Sequence, residues 1–311
     1  MNRKWMGRFL GRMTAMALVL CCAVCFAAGA EGNVSYVENE YNYVDGSMDL
    51  SQGIPNVVSG VLDRIRRTGV LRVATEPFFA PQEFIDPDLE GQDQYVGADM
   101  EMARLIAERL GVELEIVPME FSEVLTSVSE DHCDLAISAL SFTPSRAATN
   151  TMSKGYFFAG EGTNVGIVIR AEDKETITSI EDLRDKIIIA QSGSLQEALV
   201  GEQVRAYQEF RRVSTIQTVY DAVSSGKVDA GAVDIASAAA YIRNNPQSGL
   251  ALVDGIQFKL EEAYQGDRIA AKKGELQLMY FVNAVIDEIL EKDLYTQWME
   301  KYGVRAAELG M

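Results

Sequence analysis

Short apolar strands alternate with amphipathic helices along most of the chain, and this alternation occurs in two successive series. The first series begins with an apolar strand at 70–75, followed by a helix whose apolar residues recur at helical spacing up to Gly111. The second begins with a strand at 164–170 and includes Lys186–Ala190, which is apolar on both faces like a central parallel strand. Such alternation favours mostly parallel sheets covered by helices. We therefore predict an α/β protein with two units of similar layout, joined near residue 163.

The first thirty residues differ in composition from the rest of the chain. They contain four basic residues and no acid, then an apolar run from Met13 to Ala28, and then Ala28-Gly29-Ala30 before an acidic residue. A basic start, an apolar run and a small-residue site are typical of an export signal. We expect residues 1–30 to be a signal peptide cleaved after Ala30, and an uncleaved membrane anchor is the alternative. The mature protein is then periplasmic or at the extracytoplasmic cell surface.

Charge and cysteine content exclude several classes of function. The chain carries a net charge of −18, and removal of the basic signal makes the mature chain more acidic still. Proteins that bind nucleic acids present a basic face, so we expect no nucleic-acid partner. The single histidine, His132, argues against a histidine-rich metal site, and we expect neither a metal ion nor a cofactor. Three of the four cysteines lie in the signal, which leaves Cys133 without a partner for an internal disulfide.

Polar residues stand where the predicted strands end and the next helices begin, namely Glu76, Ser141, Arg146, Ser194 and Asp234. Ligands of open α/β sheets bind outside the carboxyl ends of the strands. An arginine can hold a carboxylate through two hydrogen bonds, and a helix N-terminus offers free N–H groups. An aspartate suits an ammonium group. Together these residues match an α-amino acid, although each one alone could be a solvated side chain or a helix cap.

Five segments of the chain resemble the extracellular solute-binding proteins of polar amino-acid ABC transporters, and they occur in the order found in that family. They are Gly69–Glu76, Tyr95–Ala103, Ser138–Arg146, Gln191–Ser194 and Gly226–Asp234. The resemblance extends from about residue 59 to residue 303. It implies the two-lobed type II periplasmic-binding-protein fold, in which each lobe is a mostly parallel sheet flanked by helices and two strands form the hinge.

The resemblance also implies how the chain is divided. Residues 59–163 and 264–311 would form the first lobe, and residues 164–263 the second. Residues 31–58 extend beyond the resemblance, and their Gly, Asn, Ser and Tyr content predicts a weakly ordered leader.

The family's ligand contacts can be carried over to matching positions. Arg146 would bind the ligand carboxylate, assisted by Ser141 and by backbone N–H groups near Ser194 and Leu195. Asp234 would accept the α-ammonium group together with the Ser141 hydroxyl.

Four further positions complete the expected site. The Ala139 carbonyl would assist in binding the ammonium group, and Glu76 would meet the far end of the ligand. Phe79 and Phe121 fall where the family places walls around the ligand side chain, although both could equally be ordinary core residues. Gln82 departs from the family, which commonly has Phe there.

The resemblance implies a monomeric binding protein that captures an L-amino acid by hinge closure and delivers it to a membrane permease. A carboxylate with two aromatic residues favours a basic amino acid such as arginine, lysine or histidine, with glutamine or cystine next. The protein would not be an enzyme. The alternative is a secreted dehydratase of cyclohexadienyl or arogenate type on the same fold, with Glu76 as its acid. A third possibility, a receptor sensor domain, is disfavoured because the chain ends without a membrane span or kinase region.

Overall fold

The computed structural model describes five stretches of the chain, which are residues 34–35, 43–158, 165–256, 258–260 and 265–311. The predicted signal peptide, its cleavage point at Ala30 and both predicted lobe boundaries, near residues 163 and 263, lie outside the described residues. No helix in the described stretches is both long and apolar enough to cross a membrane.

The described elements follow the predicted alternation of strands and helices. In chain order they are β1 (Val34–Ser35), β2 (Ser47–Met48), α1 (Gly60–Thr68), β3 (Val70–Thr75), β4 (Phe78–Phe79), β5 (Glu83–Ile85), β6 (Tyr95–Val96), α2 (Ala98–Leu110), β7 (Glu113–Pro118), α3 (Phe121–Ser129), β8 (Leu135–Ser141), α4 (Pro144–Thr149), β9 (Asn150–Met152), β10 (Val165–Arg170), β11 (Ile187–Gln191), α5 (Leu195–Gln203), β12 (Glu209–Val213), α6 (Ile216–Ser224), β13 (Ala230–Asp234), α7 (Ile235–Asn244), β14 (Leu250–Leu252), β15 (Asp267–Lys272), α8 (Leu276–Glu291) and α9 (Leu294–Glu308).

Two five-stranded sheets organise these elements. The first sheet has the strand order β7-β3-β8-β15-β9, and the second has the order β12-β11-β13-β10-β14. In each sheet four strands run in one direction, and the remaining strand, β15 or β10, is antiparallel to both of its neighbours. Each reversed strand is the first one formed after the chain crosses from the other sheet. The two-lobed α/β fold is thus confirmed, and we call each sheet with its helices a lobe.

The side chains of the first sheet alternate between two cores. Leu71 and Val73 of β3 pack into the larger core, which α2 and α8 cover, while Ala74 packs into the core on the α3 side. Successive residues of a strand point to opposite faces, so helices on both faces require apolar residues at nearly every position. This explains why the central strands appear as continuous apolar runs.

The predicted weakly ordered leader is wrong for residues 43–58, which pack against the first lobe. Met48 is buried in the larger core, and the Val44 N–H donates to the Met152 carbonyl at 2.8 Å. The Tyr43 ring lies 3.9 Å from the guanidinium carbon of Arg268. The few apolar side chains of this polar segment fall where the lobe can bury them, a property that composition does not reveal.

Asn283 on α8 fastens the leader to the first lobe. Its Nδ2 donates to the carbonyls of Val44 and Gly46 at 2.6 and 2.9 Å, and its Oδ1 accepts the Lys154 N–H at 3.1 Å. The side chain is fully buried. It therefore satisfies three backbone groups that have little access to water.

Replacement of this side chain tests the attachment. Asn283→Ala leaves buried polar groups unpaired, and we expect the free energy of unfolding to fall by about 2–4 kcal/mol in urea titrations. Asn56→Ala, at an exposed position of the same leader, should change it by less than about 0.5 kcal/mol. Equal effects of the two substitutions would contradict the attachment.

Candidate ligand-binding site

A cavity of about 330 Å³ lies between the two lobes. All nine residues that the sequence places at a ligand site line it. They are Glu76, Phe79, Phe121, Ala139, Ser141, Arg146, Ser194, Leu195 and Asp234. The structure thus brings these residues together, and their individual roles toward a ligand stay predictions.

The position of the cavity follows from the strand directions. Glu76 directly follows β3, Ser141 ends β8, and Asp234 ends β13. Parallel strands end at the same edge of a sheet, so their terminal residues converge there. Facing edges of the two lobes therefore supply the cavity with side chains from both sheets.

The Arg146 guanidinium is buried and contacts both lobes. Its Nη1 donates to the Ser141 carbonyl at 2.7 Å, and its Nη2 donates to the Gly193 carbonyl of the second lobe at 2.9 Å. The guanidinium carbon lies 5.7 Å from the centre of the Phe121 ring. Burial lowers the pKa of Arg146 to about 10, so the group is still a cation at neutral pH.

Ser194 and Asp234 cap helices of the second lobe as well as lining the cavity. The Ser194 Oγ accepts the Glu197 N–H at 3.0 Å, and Asp234 Oδ1 accepts the Ser237 N–H at 2.8 Å. Burial raises the pKa of Asp234, and the hydrogen bonds from Ser237 oppose that rise. A side chain that caps a helix can therefore also contact a ligand, because both roles require a polar group at the start of the helix.

Glu76 reaches across the cleft. Its Oε1 accepts a hydrogen bond from Gln191 Nε2 of the second lobe at 3.0 Å, and only 2% of the residue is exposed. Burial raises the pKa of Glu76 to about 8, although the bond from Gln191 acts in the opposite direction. Glu76 can therefore hold or release a proton near neutral pH.

Ala139 adopts a backbone conformation that is uncommon for a residue other than glycine. Its φ is 45°, and its N–H donates to Asp99 Oδ2 at 2.9 Å. Asp99 also accepts the hydroxyl groups of Tyr156 and Tyr295. Strained backbone of this kind persists where the surrounding structure determines it, and it is concentrated at functional sites.

The predicted site lacks several polar residues of the cavity, among them Glu83, Gln191 and Asp267. Gln191 ends β11 and lies within one of the five segments that resemble the family, so its place at a strand end could have been predicted from the sequence. Glu83 and Asp267 begin strands instead of ending them.

Asp267 begins the reversed strand β15 and is paired there with Ser141 of β8. Its Oδ2 accepts a hydrogen bond from the Gln82 side-chain amide at 2.8 Å. Burial raises the pKa of Asp267 to about 8.

The charged groups of the cavity are mainly acidic. Among the described residues that line the cavity, Glu76, Glu83, Asp234 and Asp267 are acidic and Arg146 is the one base. No group of three or more His, Cys, Asp or Glu side chains in the described stretches could hold a metal ion. Burial raises the pKa values of these four acids, and a positively charged group of a ligand would stabilise their ionised forms.

Comparison with known proteins identifies the family. The model of the bacterial extracellular solute-binding proteins, family 3, matches residues 71–305. The chain belongs to this family.

Several relatives of this family 3 protein have described ligands. The arginine-binding extracellular protein ArtP of Bacillus subtilis is 28% identical over 58% of this chain and 68% of its own length. The L-cystine-binding protein TcyJ of Escherichia coli is 25% identical over 75% of this chain and 82% of its own. A Streptococcus pneumoniae amino acid ABC transporter substrate-binding protein bound to L-arginine matches with a TM-score of 0.71 and 30% identity, over 79% of this chain and 98% of that chain.

An enzyme is also among the relatives. Cyclohexadienyl dehydratase of Pseudomonas aeruginosa is 26% identical over 60% of this chain and 67% of its own length. The relatives described above thus include binding proteins and one enzyme.

The raised pKa of Glu76 predicts how stability depends on pH. Between the ordinary value of 4.5 and about 8, folded Glu76 keeps a proton that unfolded Glu76 loses. The free energy of unfolding therefore falls as the pH rises through this window. Glu76→Gln has no charge to bury, so we expect its stability relative to the wild type to rise by roughly 1 kcal/mol per pH unit there.

Urea titrations at several pH values measure this difference. Glu90→Gln, at an exposed position, serves as the control and should follow the wild type. Parallel pH profiles for wild type and Glu76→Gln would show that Glu76 is ionised in the folded protein.

Proposed function

We propose that this protein binds an L-amino acid with a cationic side chain, as found in arginine, lysine or histidine, and delivers it to an ABC importer. The acidic excess of the cavity carries the proposal. Arg146 pairs with the ligand carboxylate and Asp234 with its α-ammonium group. Glu76 and Asp267 remain. Burial raises the pKa of both to about 8, and a cationic side chain between them would stabilise their ionised forms.

The contacts between the lobes support ligand capture by closure. Arg146 donates to Gly193, and Gln191 donates to Glu76, so each lobe contributes to both ends of the cavity. Gly193 has a φ of +76°, and a Cβ built on it would lie 3.3 Å from the Ser122 Cα of the first lobe. A ligand held by Arg146 and Asp234 would bridge the lobes and stabilise the closed form.

Family membership and the sequence support the cellular setting that we propose. Cleavage after Ala30 releases a monomer to the periplasm or the extracytoplasmic surface, where it meets a permease of the ABC transporter. Membership in an extracellular solute-binding family supports this setting, and so does the export signal.

Isothermal titration calorimetry with L-arginine tests the carboxylate clamp. We expect Arg146→Ala to weaken binding by at least about a hundredfold, or ~2.7 kcal/mol, because it removes a buried charged partner. Arg205→Ala, at an exposed position of the second lobe, should bind as the wild type does. Unchanged affinity in Arg146→Ala would contradict the clamp.

A neutral ligand analogue tests the charge argument in the same titrations. L-Citrulline matches the shape of arginine but lacks its charge, so the wild type should bind it at least about tenfold more weakly. Glu76→Gln should reduce the ratio between the affinities for arginine and for citrulline. Equal binding of both ligands would contradict a cation-selective cavity.

The second candidate is a dehydratase that acts on prephenate or arogenate. One observation favours it, since an acid with a pKa of about 8 faces the cavity at Glu76, as a general acid requires. The charge balance disfavours it, because this cavity holds several acidic groups around a substrate that is itself anionic.

Incubation of purified protein with prephenate and with arogenate decides between the candidates. We expect no aromatic product by chromatography, since the acidic groups are directed at a cation. Product formation that is lost in Glu76→Gln would establish the enzyme instead.

A further inference from the structure

Glu83 is a cavity residue to which amino-acid binding assigns no separate task. It begins β5 and is 1% exposed. Its Oε1 accepts the Ser138 hydroxyl at 3.0 Å, whereas its Oε2 has no N–H or hydroxyl donor among the described residues. A fully buried carboxylate with one donor would be poorly compensated.

The Glu83 carboxyl group also meets another carboxyl group. The charge of Asp99, at the start of α2, acts on Glu83 and raises its pKa. A hydrogen bond between these two groups requires a proton, because two ionised carboxylates only accept hydrogen bonds.

Neither Glu83 nor Asp99 forms an ion pair in the described part of the chain. The charged and titratable groups that face Glu83 come from several elements, and they are Asp99 on α2, Glu76 after β3, Asp267 on β15, Tyr295 on α9 and Tyr156 in the segment after β9. All of these are acids or hydroxyl groups. Burial, followed by the charge of Asp99, raises the pKa of Glu83 well above its usual range.

The hydrogen bonds around the pair indicate which member holds the proton. Asp99 accepts three other donors, the Ala139 N–H at 2.9 Å, the Tyr156 hydroxyl at 3.0 Å and the Tyr295 hydroxyl at 2.6 Å. Glu83 accepts one. Donors stabilise the ionised form, so Asp99 is the carboxylate and Glu83 the acid.

This pair connects two backbone segments of the cavity. Asp99 holds Ala139 in its strained conformation, and Ser138 Oγ accepts the Glu76 N–H at 3.0 Å while donating to Glu83. We propose that Glu83 is a positioning residue: as a neutral acid it donates to Asp99 and thereby fixes the Ala139 backbone and Glu76 for the ligand. The part that concerns the ligand rests on the proposed function.

Infrared difference spectroscopy at neutral pH tests the proton directly. Subtraction of the Glu83→Gln spectrum from that of the full wild-type protein should reveal the C=O stretch of a protonated carboxyl group. Asp86→Asn is the matched control, since Arg305 lowers the pKa of this similarly buried acid and only carboxylate bands should be lost. Loss of only carboxylate bands in Glu83→Gln would overturn the proposal.

Amide resonances in NMR spectra test the positioning role without a ligand. Glu83→Gln keeps an N–H donor, so the Glu76 and Ala139 amide resonances should stay close to their wild-type positions. Glu83→Ala removes the donor and should shift both. Similar shifts in the two variants, or none in either, would contradict a role based on donation.

Calorimetry with L-arginine connects positioning to binding. Glu83→Gln should bind within about threefold of the wild type, and Glu83→Ala at least about tenfold more weakly, which corresponds to ~1.4 kcal/mol. Wild-type affinity in Glu83→Ala would overturn the positioning role. Failure of the wild type to bind any amino acid would refute the proposed function, and the infrared and NMR results would still decide on the proton and the positioning.

Discussion

The site depends on the hydrogen bonds of the Arg146 guanidinium to both lobes. The guanidinium lies between the lobes and donates to a carbonyl of each, Ser141 in the first lobe and Gly193 in the second. A buried cation is unfavourable unless it is paired, and carbonyl groups compensate it only in part. The anionic end of a ligand would complete this environment. We therefore propose that the group that joins the lobes also selects the ligand that binds between them.

The opposite problem exists at the other end of the cavity, where acidic residues outnumber basic ones in the described part of the lining. Burial raises the pKa values of Glu76 and Asp267 to about 8, and it raises the pKa of Glu83 well above its usual range. Protons therefore offset charge that the protein itself does not pair. A cationic side chain of the ligand could offset this negative charge in place of the protons. Buried acids of this kind lower the stability of the unliganded protein. The cationic ligand that we propose would be selected because it compensates them.

Much of the fold was predictable because its signals are local. The apolar runs that became β3, β8 and β11 are buried on both faces, so nearly every residue in them is apolar. The leader was misjudged for the converse reason. Residues 43–58 have little periodicity, and they are ordered by partners far away in sequence, such as Asn283 and Arg268. Long-range packing of this kind leaves no pattern within the segment itself.

The sequence by itself determined the strand ends, and with them Glu76, Ser141 and Asp234, because the polar residue at the end of a parallel strand lies at the edge of its sheet. Only the tertiary structure decided that Glu83 and Asp267 join them. Both residues begin strands, and Asp267 reaches the cavity because its strand runs antiparallel to β8 and pairs it with Ser141. Strand direction depends on how the chain returns from the second lobe, which residue spacing does not encode. The proton balance of the cavity therefore became apparent only when the separate segments were seen together.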